Sequence, residues 1–160
     1  MDYAKEKKEL ASGMYFKAHE GENKFRMVSE PLKLWKTFDQ ATKTSKVYMT
    51  EDEAKKDPQS KIRFAMWVIN RDIGKFQIAE FGPSVMNKIF NYATSSDAGF
   101  DSIPPYDFTL FKTGELLNTE YDLIAARVNT DLTFHEQEAI KVLKSLVEWA
   151  KEDAIDAASY

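Results

Sequence analysis

The chain has 160 residues, of which 43% are hydrophobic and 13% aromatic, so a single domain can close a core without a metal or a disulfide. The absence of cysteine excludes disulfide frameworks, thiol nucleophiles and cysteine-ligated zinc, and no apolar run approaches the roughly 20 residues that span a bilayer. The formal charge is −4, but residues 1–80 hold 16 Lys/Arg against 13 Asp/Glu, whereas residues 81–160 hold 6 against 13. This asymmetry indicates either a basic binding region beside an acidic segment or a solvated surface with uneven charges.

The N-terminal residues predict an arm followed by a hairpin. Residues 1–13 are polar and charged without an apolar stripe, so we expect a flexible arm or a short helix there. The runs 14–19 and 24–29 have β-type composition and flank a turn that contains Gly21, which predicts a first hairpin. This terminus also lacks the hydrophobic stretch of a secretory signal, so we expect a cytoplasmic protein without a membrane partner.

An extended run and a long polar segment follow. Pro31 interrupts strand pairing, and residues 32–38 then alternate, which predicts one bent strand or two consecutive strands. Lys33 and Trp35 fall on the side of this run opposite to two leucines. Residues 39–60 are polar and lysine-rich, and they predict a long mobile loop with at most one short strand.

The clearest strand is predicted at residues 61–69. Its apolar positions are Ile62, Phe64, Met66 and Val68, and they alternate with Lys61, Arg63, Ala65 and Trp67. Because side chains alternate between the two faces of a strand, one face should join the core while the other presents two cations and an indole to solvent. After the turn at residues 70–75, the run 76–81 completes a second hairpin.

The C-terminal half predicts two helices around a third hairpin. Ser84 is a suitable N-cap for a helix over 85–92, and the runs 106–112 and 121–128 form the hairpin. Thr133 and Glu136 fit a capping box that opens a C-terminal helix.

This order of elements predicts a mainly β, OB-fold-like protein: a five-stranded antiparallel Greek-key barrel with a short helix between strands 3 and 4 and a C-terminal helix. We expect the barrel domain to span residues 14–132 and the helix with its acidic end to span 133–160. Other small barrels and α+β sheets are compatible with the same order.

The sequence lacks the motifs of common catalytic and cofactor sites. It has no glycine-rich phosphate loop, no dinucleotide fingerprint, no Gly-x-Ser-x-Gly elbow and no His-Glu-x-x-His helix. Only two histidines are present, so a zinc site would need carboxylates to complete its ligands. We therefore expect a protein that is not an enzyme and that uses no cofactor or metal.

A basic surface with aromatic residues remains, and this combination is typical of single-stranded nucleic-acid binding, in which cations follow the phosphates and bases stack on rings. The window 24–75 holds 12 Lys/Arg against 7 Asp/Glu. The candidate binding residues are Lys33, Trp35, Lys46, Tyr48, Lys61, Arg63, Trp67, Arg71 and Lys75, with Lys112, Tyr121 and Arg127 on the third hairpin as second-rank candidates. The alternative is structural: Trp35 and Trp67 could close the ends of the core, and lysines commonly line strand edges.

Four segments carry a resemblance to a known family: GENKFRMV at 21–28, KIRFAMWVINRD at 61–72, PYDF at 105–108 and EYDL at 120–123. With them, the chain resembles the single-stranded DNA-binding proteins of tailed bacteriophages over most of residues 14–132. The resemblance implies an OB-fold and a role in DNA replication or recombination, in the host cytoplasm if the protein is phage-encoded. The chain departs from the zinc-containing branch of such proteins, because it has no cysteine, and it lacks a long acidic tail.

The sequence thus predicts a non-catalytic, largely sequence-independent binder of single-stranded DNA. The acidic residues at 152–156 could recruit replication or recombination proteins. A different class of function, a protein-interaction module such as a phage-encoded inhibitor or assembly factor, would use the same aromatic face against a protein. A nuclease ranks last, because no cluster of catalytic carboxylates or histidines stands out.

Overall fold

A computed structural model describes residues 1–4, 13–41, 44–95 and 103–152, and these residues fold around one antiparallel sheet. The seven strands of this sheet are β1 (Gly21–Met27), β2 (Leu32–Asp39), β3 (Thr44–Tyr48), β4 (Lys61–Asn70), β5 (Lys75–Phe81), β6 (Phe108–Thr113) and β7 (Glu120–Ala125). The described helices are α1 (Glu51–Ala54), α2 (Pro83–Thr94), α3 (Phe134–Ile140) and α4 (Leu146–Glu152), with a 3₁₀ turn at Leu116–Asn118. The predicted mainly β class is confirmed, with two more strands than predicted.

β4 organises the sheet. β5 pairs with one edge of β4, while β1 and β2 pair with different parts of the other edge, at Met27 opposite Val68 and at Leu32 opposite Ala65. β1 and β2 are therefore two consecutive strands that follow the same edge of β4, with a break at Pro31, which is one of the two alternatives that the sequence predicts. From β1 the sheet continues through β6 to β7, and β3 lies outside β2.

One local prediction is wrong, and another is correct only in part. The segment before β1 does not form a hairpin with it but lies beside β5, where Phe16 N donates to Ile78 O at 2.9 Å and Ile78 N donates to Met14 O at 2.7 Å. The lysine-rich segment 39–60 contains the one short strand that the prediction allows, β3, and also α1, so it is more ordered than the predicted loop. β3 forms because its residues gain backbone partners along β2, which local composition does not reveal.

Each face of the sheet covers its own core. The inner face carries Phe64, Met66 and Val68 of β4, as predicted, and α2 packs against it through Val85, Met86 and Ile89. The outer face carries Ala65, Trp67 and Ile69 of β4, and it is covered by α4 and by apolar residues before and after α3. Tyr106, Phe108 and Leu110, which the alternation favours as core residues, are buried on the inner side.

The helix ends follow the sequence in part. α3 begins with the predicted capping box, in which Thr133 and Glu136 exchange hydrogen bonds. The C-terminal segment nevertheless forms two short helices instead of one. α2 begins after Gly82 with Pro83 in its first turn, so the prediction of Ser84 as N-cap is wrong. Proline suits this position because its missing N–H would have no partner in the helix.

Residues 5–12 of the predicted arm and 153–160 of the predicted acidic end lie outside the described residues. Within the described part, no helix is long and apolar enough to cross a membrane.

Substitution of Trp149 on α4 would test the packing of the outer face. Its side chain is 0% exposed, and its Nε1 donates to the hydroxyl of Tyr15 at 3.1 Å. We expect Trp149→Ala to lower the free energy of unfolding by about 3–5 kcal/mol, because it leaves a large cavity under the helix. Urea denaturation would measure this change. Val142→Ala, at a side chain that is 84% exposed, is the control and should change stability by less than about 0.5 kcal/mol. Equal stability of the two variants would contradict the packing.

Candidate nucleic-acid interface

The register of β2 against β4 decides which candidate residues share a face. Directly opposed residues of antiparallel strands project to the same side. The opposed pairs are Lys33 with Phe64, Leu34 with Arg63, Trp35 with Ile62 and Lys36 with Lys61. Lys33 and Trp35 are therefore on the inner face, whereas Lys61 and Arg63 are on the outer face. The prediction that both strands present their cations and indoles on one face is wrong.

Trp67 is the second correction. The residue is only 8% exposed, and its Nε1 donates to the carbonyl of Lys144 at 2.8 Å. The reason is the C-terminal segment, whose apolar residues Ile140, Leu143 and Leu146 pack on the outer core that contains Trp67. Almost none of this indole is accessible to a base, and the prediction of a solvent-open ring is wrong.

Four candidate residues meet on the inner face of β2 and β3, and we call them the hairpin cluster: Lys33, Trp35, Lys46 and Tyr48. Trp35 lies directly opposite Tyr48, and Lys46 lies opposite Thr37 on the same face. Both rings are partly exposed and both lysines are exposed. The Lys33 Nζ atom lies 5.3 Å from the centre of the Trp35 ring, which is a cation–π distance. The sequence predicts a loop with at most one short strand around Lys46 and Tyr48, and the structure places both residues on such a strand, β3, beside the indole.

Asp57 fixes the orientation of Tyr48. Its carboxylate accepts hydrogen bonds from Thr37 Oγ1 at 2.7 Å and from the Tyr48 hydroxyl at 2.9 Å. These two bonds, led by that of Thr37, hold the pKa of Asp57 below its usual value. The same carboxylate raises the pKa of Tyr48, chiefly through the hydrogen bond. Sequence analysis missed Asp57, because only the fold brings its turn beside the hairpin.

Lys61 and Arg63 line a separate cleft of about 530 Å³ on the outer face. Lys36 and Glu80 also line it, and the carboxylate of Glu80 lies 2.5 Å from Lys36 Nζ and 3.1 Å from Arg63 Nε. Sequence analysis missed Lys36. The sequence does contain a pattern that points to Lys36: this lysine alternates with Leu32 and Leu34 and so lies on the apolar side of the predicted strand.

The remaining candidates are dispersed. Arg71 bridges Asp107 at 3.3 Å and Glu136 at 2.5 Å, which ties the end of β4 to β6 and α3. Lys75 is exposed at the start of β5, where it pairs with Asn70 at the end of β4 that is distant from Lys61. Lys112 and Tyr121 are directly opposed on β6 and β7, and Arg127 is exposed beyond β7. None of these five residues belongs to the hairpin cluster. In the described part of the chain, no group of three or more His, Asp or Glu residues could hold a metal ion.

The hydrogen bond from Tyr48 to Asp57 leads to a prediction about the titration of Tyr48. A tyrosine whose folded pKa is raised contributes stability below its ordinary pKa of 10.0, and this contribution is lost as the pH rises through the folded value. We expect Asp57→Asn to lower the pKa of Tyr48 towards that ordinary value. Phenolate absorbance during a pH titration measures the shift, with Tyr48→Phe identifying the relevant step.

Asp52→Asn is the control, because it removes an exposed carboxylate in α1 and should leave the phenol titration unchanged. If Asp57→Asn gave the same titration as Asp52→Asn, the orientation of Tyr48 by Asp57 would be refuted.

Comparison of the chain with protein-family models, with curated protein sequences and with solved structures finds no match. The resemblance to phage single-stranded DNA-binding proteins therefore stays a prediction. The functional interpretation depends on the charges, exposure and register of the two sites above.

Proposed function

We propose that this protein binds single-stranded DNA without catalysis and largely without sequence preference, through the hairpin cluster. One observation carries the proposal: Trp35 and Tyr48 are directly opposed, partly exposed rings with the exposed cations Lys33 and Lys46 on the same face. Rings of this kind accept stacked bases, and each stacked base contributes roughly 1–3 kcal/mol. The stacking is sequence-tolerant because every base has a π-face.

The strand neighbours support an OB-fold interpretation. If β1 and β2 count as one bent strand, the order is β5, β4, β1–β2, β6 and β7, with α2 between β5 and β6. This agrees with a five-stranded, partly open Greek-key barrel that has a helix after its third strand. Residues of β5 and β7 also line one small cleft, at Phe81 and Tyr121, which is compatible with a barrel that nearly closes.

The position of the hairpin cluster within such a fold supports binding. OB-folds hold oligonucleotides with the face of strands 2 and 3 and with the loops that follow strands 1 and 4. In this chain β3 lies in the connection after the first strand, so Lys46 and Tyr48 occupy the first of those loops. The second loop is the β6–β7 connection, beside Lys112 and Tyr121.

Removal of the Trp35 ring is the direct test. We expect Trp35→Ala to weaken binding of fluorescent oligo-dT by about 1–3 kcal/mol, because one stacking platform is lost. Phe134→Ala is the control, since it removes a ring that is 75% exposed at the start of α3 and should leave affinity unchanged. Titration by fluorescence anisotropy at fixed salt measures both, and circular dichroism checks folding. Undetectable binding by the unaltered protein, or equal loss in both variants, would refute the proposal.

The lysines of the cluster predict the salt dependence. Each cation that neutralises a phosphate of a single strand adds about 0.7 to the slope of log affinity against log salt. We expect Lys33→Ala and Lys46→Ala each to reduce the slope by about that amount. Lys24→Ala is the matched control, because this exposed lysine opposes Thr109 at the far side of the sheet. A slope that no cluster lysine affects would place the phosphates elsewhere.

A protein-interaction module is the second candidate, and one observation favours it. Leu116 and Leu117 at the β6–β7 connection are 94% and 102% exposed, and Leu116 has a φ of 52°, which is unusual for a residue with a side chain. Such exposed apolar tips are typical of contacts with other proteins. Absence of oligonucleotide binding, together with a stoichiometric partner that Leu117→Ser releases, would favour this function over DNA binding.

A further inference from the structure

The outer-face cleft between β2, β3 and β4 is a second site, separate from the hairpin cluster. Its walls include Lys36, Phe38, Ser45, Gln59, Lys61 and Arg63. Its volume of about 530 Å³ lies within the range of small-molecule sites. The cleft and the cluster are on opposite faces of β2, since alternate residues of one strand project to opposite sides.

The charges of the cleft are unbalanced. Lys36 and Lys61 are directly opposed, and like charges in that position destabilise a sheet. Among the residues that the structure describes, Glu80 is the only carboxylate that lines the cleft, and it is already shared by Lys36 and Arg63. Among the described residues, Lys61 has no ion pair. Three cations against one carboxylate therefore leave an excess of positive charge that an anion would neutralise.

A buried hydroxyl gives the second, independent observation. Ser45 is 3% exposed and lines the cleft, and its Oγ has no hydrogen-bond partner among the described residues. Buried polar groups normally have a partner, and those that lack one call for a ligand, a water or an ion. A ligand oxygen in the cleft would supply this partner beside the cations.

The neutral part of the lining indicates what the anion is attached to. Phe38 is 41% exposed and lies directly opposite Ser45, so its ring stands beside the hydroxyl on the same face. Gln40 and Gln59 add amide groups, each of which can both donate and accept hydrogen bonds. A ring for stacking, amides for a base edge and cations for a phosphate together match one nucleotide.

We propose that this cleft binds a nucleoside monophosphate. The phosphate lies against Lys61, Arg63 and the Ser45 hydroxyl, and the base lies against Phe38 with Gln59 at its edge. The nucleotide is either free in solution or the 5′-terminal unit of a strand. The inference does not rest on DNA binding by the hairpin cluster, because the two sites share no residue.

Isothermal titration with thymidine 5′-monophosphate tests the proposal. We expect saturable binding that Lys61→Ala weakens at least about tenfold, in line with the loss of a charge-assisted hydrogen bond. Lys24→Ala, which removes the same charge at the other end of the sheet, should leave the affinity unchanged. Ser45→Ala should weaken binding about threefold to tenfold without lowering the melting temperature, because the hydroxyl has no partner among the described residues.

Each alternative result has a defined meaning. No saturable binding, or equal loss in Lys61→Ala and Lys24→Ala, overturns the site. Inorganic phosphate that binds as tightly as the nucleotide overturns the role of Phe38 and the amides and leaves a simple anion site. Competition by 5′-phosphorylated oligo-dT but not by its 5′-hydroxyl form identifies a strand end as the source, and competition by neither identifies the free nucleotide. Nucleotide binding that persists in Trp35→Ala separates this site from the hairpin cluster.

Discussion

The burial of Trp67 and Trp149 between the sheet and the C-terminal helices constrains everything else on the outer face. The two indoles belong to one core, and each Nε1 has a hydrogen-bond acceptor, so this side of β4 and β5 is packed around Trp67, whereas the start of β4 at Lys61 and Arg63 lines the cleft. α2 covers the inner face in the same way. The end of the sheet where β3 extends β2 is less covered, because Lys33, Phe38 and Lys46 are exposed there. The hairpin cluster and the outer-face cleft are both located there.

The sequence predicted the strands better than their surroundings. The alternation at residues 61–69 correctly assigned Phe64, Met66 and Val68 to a core, because a period of two is a local property of a strand. The other side of the same strand carries Lys61 and Arg63 at one end and Trp67 at the other, and no local pattern shows that helices from residues 134–152 cover only the second end. Which segment packs on a given face of a strand depends on contacts between residues that are far apart in the sequence.

Register explains the other error. The sequence predicts one shared face for Lys33, Trp35, Lys61 and Arg63, because both sets alternate with apolar residues. Each face of the sheet has its own core, so alternation with apolar residues does not show which face carries the polar positions of a strand. The pairing of Leu34 with Arg63 and of Trp35 with Ile62 decides it, and only the long-range register of β2 against β4 supplies that pairing. Leu34 consequently faces the outer core, and Lys36 follows it to the cleft. The four residues of the hairpin cluster and Lys61 and Arg63 of the cleft could be selected from the sequence. Their division into two sites, and the addition of Lys36, Phe38 and Ser45 to the second site, could not.

The charge distribution favours the end of the sheet at β2 and β3 for a polyanion. The helices that cover the outer face carry Glu136, Glu138 and Glu148, and the second half of the chain holds 13 Asp/Glu against 6 Lys/Arg. Glu136 is paired with Arg71 and Glu138 with Lys141, so the packed part of the outer face carries no excess of positive charge from these residues. Lys33, Lys46 and Lys61 add positive charge at the end of the sheet formed by β2, β3 and the start of β4. Screening limits the reach of these charges to about 8–10 Å at physiological salt, which is on the scale of two neighbouring strands. A net charge of −4 is therefore compatible with a basic binding site, because the field that a phosphate meets depends on which charges lie within that distance.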